Sequence, residues 1–304
     1  MKVFISCDME GVAGIVDWSQ CRAPGVPYEE GRRLLLGEVN AAIEGALAAG
    51  ATEIICNDSH GTMNNLDPAA LAGQASYVSG RHKPLYMMQG LEAGADVVFM
   101  VGYHGSVSGQ SSVLSHTYNP AVISRVELNG VPVGESGINA LVALACRAPV
   151  GLITGDQQTI AEADSYLPDA ERVVVKESFT RFGASNLHPE VARAMIADGA
   201  RRAVERAAAE PSQVWEIAAS PAAPAGVSPG AELAVLRLPA ITLPARLEVH
   251  TQTADMAEVA SWVKGAERTG VRTVSISGAD PLEMFRSFVG LTYITRVAEG
   301  RLGG

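Results

Sequence analysis

Val3-Phe4-Ile5-Ser6-Cys7-Asp8-Met9-Glu10-Gly11 decides how the rest of the chain is read. Val3 to Cys7 is a short run of strand-formers, and the acidic turn follows at once. An apolar run this short, closed by a glycine, reads as a buried strand of a parallel sheet. Residues i and i+2 of an extended segment point the same way, so Asp8 and Glu10 are expected to project together from the strand's carboxyl end. In open α/β sheets ligands bind at that edge. Two carboxylates held together repel unless a cation or a shared proton sits between them. The turn is therefore a candidate metal or catalytic site, with a solvated acidic loop or a helix cap as the plain alternative.

Working outward, Leu35, Val39, Ala42, Ile43, Ala46 and Leu47 recur at helical spacing, which predicts a helix over 28–48 between Pro27 and Gly50. Glu53-Ile54-Ile55-Cys56 then reads as a second buried strand running into Asn57-Asp58-Ser59-His60-Gly61. Strand, helix, strand is a βαβ unit, so the two strands are expected to be parallel neighbours with adjacent carboxyl ends. Asp58 and His60 repeat the i, i+2 arrangement. A third run, Val97-Val98-Phe99-Met100-Val101, leads into Gly102-Tyr103-His104. One histidine after a strand is ordinarily a hydrogen-bonded surface residue. Three strands each ending in Asp, Glu or His are different, because a parallel sheet gathers those ends on one edge.

Residues 106–120 are polar and loop-like and carry His116. Val122 to Leu128 and Val131 to Val133 flank Asn129-Gly130, a hairpin signal. Gly134-Glu135 opens a helix to about Arg147; a carboxylate in a first helical turn is favoured by the macrodipole, so Glu135 also has a purely structural explanation. Strands follow at 150–156 and 173–175, and a helix from Pro189 to about Glu210. Residues 211–232 are rich in Pro, Ala, Ser and Gly and read as a linker or extended loop. Beyond it, strands are expected at 233–238, 245–250 and 271–276. Helices are expected at 255–263 and 281–296, opened by Asp255…Glu258 and Asp280…Glu283 at capping-box spacing. The expected fold is α/β: a mostly parallel sheet flanked by helices, the metal site at the strand carboxyl ends, and a smaller C-terminal α/β unit. The expected division is 1–210 as the catalytic metal-binding domain, 211–232 as linker and 233–304 as the C-terminal domain.

The chain has 304 residues, enough for a full core. A formal net charge of -10 argues against nucleic acid or an anionic membrane as the main partner. About five apolar residues precede Asp8, too few for the h-region of a signal peptide, and no stretch approaches the ~18 uncharged apolar residues of a membrane span. Cys7, Cys21, Cys56 and Cys146 form no C-x-x-C pair and read as free thiols, so a cytoplasmic location is expected.

The candidate ligands are Asp8, Glu10, His60, His104 and Glu135. All are nitrogen or oxygen donors, which suits zinc, with manganese, cobalt or iron as competitors, and disfavours a thiolate site. Five exceed what one tetrahedral catalytic zinc uses; a two-metal site with Asp8 bridging absorbs them. Asp58 is either an acceptor for a ligating histidine or a solvated surface group. His116 reaches the site only if its loop folds over the sheet edge, where it would act as general acid/base. His82, His188 and His250 read as structural. One competing signal is Gly105-Ser106-Val107-Ser108-Gly109, a G-x-S-x-G match after a strand. A nucleophile elbow must enter a helix at once, and the residues after Gly109 carry no helical stripe. A metal-independent serine hydrolase using Ser108 stays as the second reading and a non-catalytic metal- or peptide-binding protein as the third.

Five motifs in order, S-C-D-M-E-G (6–11), N-D-S-H-G-T-M-N-N-L (57–66), G-Y-H (102–104), L-S-H (114–116) and N-G-V-P-V-G-E-S-G-I-N (129–139), resemble the zinc-dependent D-aminopeptidase family found in dipeptide-transport operons. The resemblance covers most of 1–200 and resumes over roughly 241–296. It implies a binuclear zinc peptidase with two Zn2+ per subunit, ligands at Asp8, Glu10, His60, His104 and Glu135, and a catalytic histidine at His116. It further implies release of N-terminal residues, D-alanine first, from short peptides, and a self-compartmentalising homodecamer of two stacked pentameric rings. Lys83 and Asn65 lie in the family-like stretches and stand as candidate anchors for the substrate.

Overall fold

The computed structural model describes residues 1–209 and 243–299. The expected linker at 211–232 and the strand at 233–238 lie outside the described residues. In chain order the first half comprises β1 (Lys2–Cys7), α1 (Val26–Ala48), β2 (Glu53–Asp58), β3 (Ser76–Val78), β4 (Val97–Val101), β5 (Ile123–Leu128) and β6 (Val131–Pro132). Then come α2 (Glu135–Ala145), β7 (Val150–Asp156), α3 (Gln157–Ala163), β8 (Glu171–Thr180), β9 (Gly183–Asn186) and α4 (Pro189–Ala209). The tail adds β10 (Ala245–Thr251), α5 (Ala254–Ala260), β11 (Ala266–Arg268), β12 (Thr273–Gly278) and α6 (Pro281–Ile294).

Among the described residues the strands form two sheets. The larger runs β3-β2-β1-β4-β7-β8-β9 and is parallel throughout except for the last pair. Its strands bury both faces, so alternate residues serve two cores. Val3, Ile5 and Cys7 of β1 pack with α1 and α4, whereas Phe4 belongs to the other cluster with α2, α6 and the second sheet. β2, β1 and β4 are immediate neighbours, and these are the three strands whose ends carry Asp8, Glu10, His60 and His104. The chain passes from β1 to β2 on one side and to β4 on the other. The switch in strand order, where such sheets leave a crevice, therefore falls at Asp8.

The second sheet is antiparallel in the order β11-β12-β10-β5-β6. Two of its five strands come from the 123–132 hairpin, far upstream of the tail. The 245–278 strands thus complete a sheet that the hairpin begins, and α6 packs back on α2. The cap of α5 also differs from expectation: Thr253, not Asp255, accepts the Met256 amide, while Asp280 caps α6 as expected.

Candidate metal centre

The turns beyond β1 and β4 hold together by continuing the ladder past the strands. Asp8 N donates to Val101 O and Gly11 N to Gly102 O, both at 2.8 Å. This contact needs glycine on both sides. A Cβ at Gly11 would overlap the Tyr103 carbonyl, and Gly102 sits at φ +72° with the Asp8 carbonyl against it.

On this frame Asp8, Glu10, His60, His104, His116 and Glu135 converge, all buried. His60 Nδ1 lies 3.1 Å from Asp8 Oδ1 and 2.9 Å from Glu10 Oε2. His104 Nε2 lies 3.4 Å from Asp8 Oδ2 and 3.6 Å from Glu135 Oε1. Glu135 enters as the first residue of α2, and its Oε1 accepts the Tyr118 amide at 2.7 Å. His116 stacks on His104, with ring centroids 4.3 Å apart and planes 8° apart, and brings Nε2 to 3.6 Å from Glu135 Oε1. The 106–120 loop does fold over the edge. Asp156 tethers it by accepting from Ser112 Oγ at 2.6 Å and Val113 N at 3.2 Å, and Leu114 N donates to Arg181 O.

Backbone carbonyls fix the tautomers, because a carbonyl only accepts. His60 Nε2 faces Cys21 O at 2.8 Å, His104 Nδ1 faces Gly105 O at 2.9 Å and His116 Nδ1 faces Leu114 O at 2.9 Å. Each of those nitrogens carries the hydrogen, so in the neutral ring the other nitrogen presents a lone pair toward a carboxylate. Lone pairs facing carboxylates need a cation between them. Asp8 Oδ2, both Glu10 oxygens and His104 Nε2 are buried and have no hydrogen-bond partner among the described residues. The donor set fits a zinc-like ion on this count. Ligand atoms of Asp8, Glu10 and His104, and of His104, His116 and Glu135, each fall within 4.8 Å of one another.

A proton between the same atoms answers the same demand. Burial works against charge on His60 and His104, yet Glu10 and Asp8 around the first, and Glu135 and Asp8 around the second, hold their pKa values well above the usual one. Asp8 is buried too, and the two histidines still pull its carboxyl well below the usual range. Burial and the neighbouring His104 push His116 down to about 4.

Several residues around the site escaped sequence reasoning. Lys176, in the middle of β8, is buried and donates from Nζ to Glu10 O, Val12 O and Ile15 O at 2.5, 2.9 and 2.7 Å. It clamps the loop that bears Glu10, and Glu38 of α1 accepts the Ala13 amide of the same loop at 2.8 Å. The Cys21 thiol lies within 4.8 Å of ligand atoms of Glu10 and His60, but burial and then Glu10 and Asp8 raise its pKa far above the usual value. Behind the metal edge a buried chain runs from Tyr118 OH through Asn139, Tyr103 OH and Ser6 Oγ to Ser59, with links of 2.7 to 2.9 Å.

Two expectations are corrected, and the lack of a helix after Gly109 is as expected. Asp58 is neither a partner of a ligating histidine nor a surface group: it is fully buried and accepts Asn65 N, Asn65 Nδ2 and Leu66 N. Lys83 and Asn65 are braces rather than anchors. Lys83 Nζ donates to Asn57 Oδ1 and Asp58 O, and Asn65 Nδ2 to Asp58 Oδ1 and His60 O. The Ser108 hydroxyl is buried with no partner among the described residues, and no helix follows it. It lacks the base a nucleophile needs.

Residues 1–289 match the M55 peptidase family, described as D-aminopeptidase. A D-aminopeptidase of Bacillus subtilis (strain 168) is 29% identical over 295 residues, covering 96% of this chain and 97% of that protein. The solved structure of the Zn-dependent D-aminopeptidase DppA from Bacillus subtilis, a self-compartmentalizing protease, superimposes with a TM-score of 0.82 at 28% identity over 97% of this chain and 98% of that one.

Proposed function

The chain belongs to the M55 D-aminopeptidase family, and from that premise we propose that its acidic sheet edge is a two-zinc centre that releases the N-terminal, D-configured residue of short peptides. The protein is a metallo-aminopeptidase. The observation that carries the reading is a buried cluster of nitrogen and oxygen donors that the chain leaves incompletely satisfied: Asp8 Oδ2, both Glu10 oxygens and His104 Nε2 have no hydrogen-bond partner among the described residues. The two oxygens of Asp8 face different histidines, which supports Asp8 as the bridge. Glu10 and His60 would hold one ion, His104 and Glu135 the other. Bound there, zinc supplies a Lewis acid that polarises the peptide carbonyl and makes a water nucleophilic near neutral pH.

The remaining work falls to the chain. His116 keeps its Nδ1 hydrogen on Leu114 O, so Nε2 is the atom that takes a proton from the attacking water and passes it to the leaving amine. Trp18 meets the His116 ring edge-on, centroids 5.4 Å apart, and helps hold it in place. The cleft at the metal edge measures about 400 Å³, within the small-ligand range of ~300–1,000 Å³. That supports short peptides rather than folded chains as substrates.

Among the described residues no helix is long and apolar enough to cross a membrane. We place the enzyme in the cytoplasm, a reading supported by four free cysteines. We further propose a homodecamer of two pentameric rings, by analogy with the self-compartmentalizing relative; light scattering that gives a monomer would count against it. The deciding experiment combines metal analysis with a screen of D- and L-peptides, free and N-acetylated. Two zinc ions per chain and turnover of D-alanyl peptides with a free amine are expected. Equal turnover of blocked and free peptides would reduce the assignment to a general amidohydrolase.

A further inference from the structure

The cleft has two halves, one lined by Asp8, Glu10 and Glu135 and one by exposed arginines. Of the arginines, Arg22 lies over the Trp18 ring, 4.4 Å from its centroid. Arg81 and Arg296 pair with no carboxylate among the described residues, whereas Arg125, Arg246 and Arg268 each hold one.

An aromatic wall joins the halves. Tyr118, whose amide binds Glu135, packs its ring 5.3 Å from Tyr86, and Tyr86 packs 5.7 Å from Tyr293. The Arg296 guanidinium lies over Tyr293 at 5.6 Å. His82, the chain neighbour of Arg81, packs its ring 4.9 Å from the same Tyr293, which brings Arg81 to the Arg296 end of the wall.

We propose that Arg81 and Arg296 receive the C-terminal carboxylate of the substrate, so that the enzyme selects peptides short enough to reach from the metal centre to these two arginines. The inference rests on the aminopeptidase reading and adds a feature of the substrate: a free C-terminal carboxylate. Guanidinium groups suit this task because they take a carboxylate through two parallel hydrogen bonds.

The test compares D-alanyl-D-alanine with its C-terminal amide on the zinc-loaded enzyme. Wild type is expected to show a KM about 10–100-fold lower for the free acid, the scale of a hydrogen bond to a charged group. The Arg81→Gln/Arg296→Gln double variant is expected to lose that preference through KM, with kcat on the free acid within a few-fold. The Arg81→Lys/Arg296→Lys variant keeps the charge without the fork and is expected to recover part of it. Equal KM values for acid and amide in wild type, or a preference that survives in the glutamine variant, would overturn the anchor and leave the aminopeptidase reading intact. Cleavage of neither peptide by wild type would overturn the aminopeptidase reading itself.

Discussion

Both sheets carry carboxylates and histidines on neighbouring strands, and they settle those charges in opposite ways. On the antiparallel sheet Glu127 takes Arg125 at 2.6 Å, Glu248 takes Arg246 at 2.9 Å, and His250 rests on Thr273 at 3.2 Å. The two carboxylates are supplied with cations by the chain itself, while His250 Nε2 is buried without a partner among the described residues. At the carboxyl edge of the parallel sheet, Asp8, Glu10 and Glu135 are buried and pair with no lysine or arginine among the described residues; histidines face them, and backbone amides of Met9 and Tyr118 donate to Asp8 and Glu135. Burying a charge without a partner costs far more than a salt bridge at the surface returns. A fold that keeps such an edge has to draw a cation from outside. Residue type therefore does not distinguish a metal centre from a decorated surface here; depth and the shortage of arginine do.

The largest effect should come from removing ligands on one sheet and their look-alikes on the other. His60→Ala or His104→Ala is expected to lower zinc content and kcat/KM together by more than about 100-fold, since even outer partners of metal ligands reach ~10–100-fold. His250→Ala on the antiparallel sheet should stay within a few-fold. Metal analysis and one D-alanyl peptide decide it. Full zinc content in His60→Ala and His104→Ala would break the comparison.

His116 sharpens the comparison from inside the edge, because it stacks on one ligand and faces another. As an acid/base it should leave the metals in place when replaced by alanine and still lower kcat by ~10²–10⁴-fold. It also forms a tight group with His104 and Glu135, so loss of one zinc in His116→Ala would make it a ligand instead. Ser108→Ala should change little. An inactive Ser108→Ala enzyme that also resists a chelator would restore the serine reading.

The difference between the two sheets bears on what could be read from the chain. Strands buried on both faces announce themselves as short apolar runs that stop abruptly at a polar turn, so β1, β2, β4 and the Asp, Glu and His residues at their ends were visible together. β3, β9 and β11 have three or four residues with mostly exposed patterns and left no run to see. α3 is seven residues long, too short for a stripe, though Asp156 at its cap was a signal. That the 123–132 hairpin would join the 245–278 strands was not visible, since pairing across more than a hundred residues leaves no local pattern. Lys176 follows Val173-Val174-Val175 directly, and a lysine ending an apolar strand run is the one clue that it is buried for a purpose. Lys83 and Arg81 had no comparable clue, because short turns carry no periodicity.

The smallest effect concerns how the edge is held, and it turns on a buried charge that is not at the metal. Glu38 of α1 holds the Ala13 amide of the Glu10 loop with one oxygen, while its other oxygen is buried without a partner among the described residues. Burial raises its pKa from 4.5 to about 7, against the lowering pull of the Ala13 hydrogen bond and Lys176. A carboxyl with a raised folded-state pKa binds more protons in the folded state than in the unfolded one. Its effect on stability must then be unfavourable as pH rises from about 4.5 to about 7, and constant above that. At ~1.4 kcal/mol per unit the full effect is roughly 3 kcal/mol. Glu38→Gln keeps an acceptor for Ala13 and cannot ionise. The variant should therefore gain on wild type as pH rises through this window, and the gap in Tm should be wider at pH 7.5 than at pH 4.5. Taking the difference between the two proteins cancels the titration of the metal-site histidines, which both share. A gap that is flat with pH would mean that Glu38 is already ionised at pH 4.5, its charge met by Lys176. The edge would then be braced by an ion pair, much as the antiparallel sheet is, and the contrast between the two regions would narrow to the ligands alone.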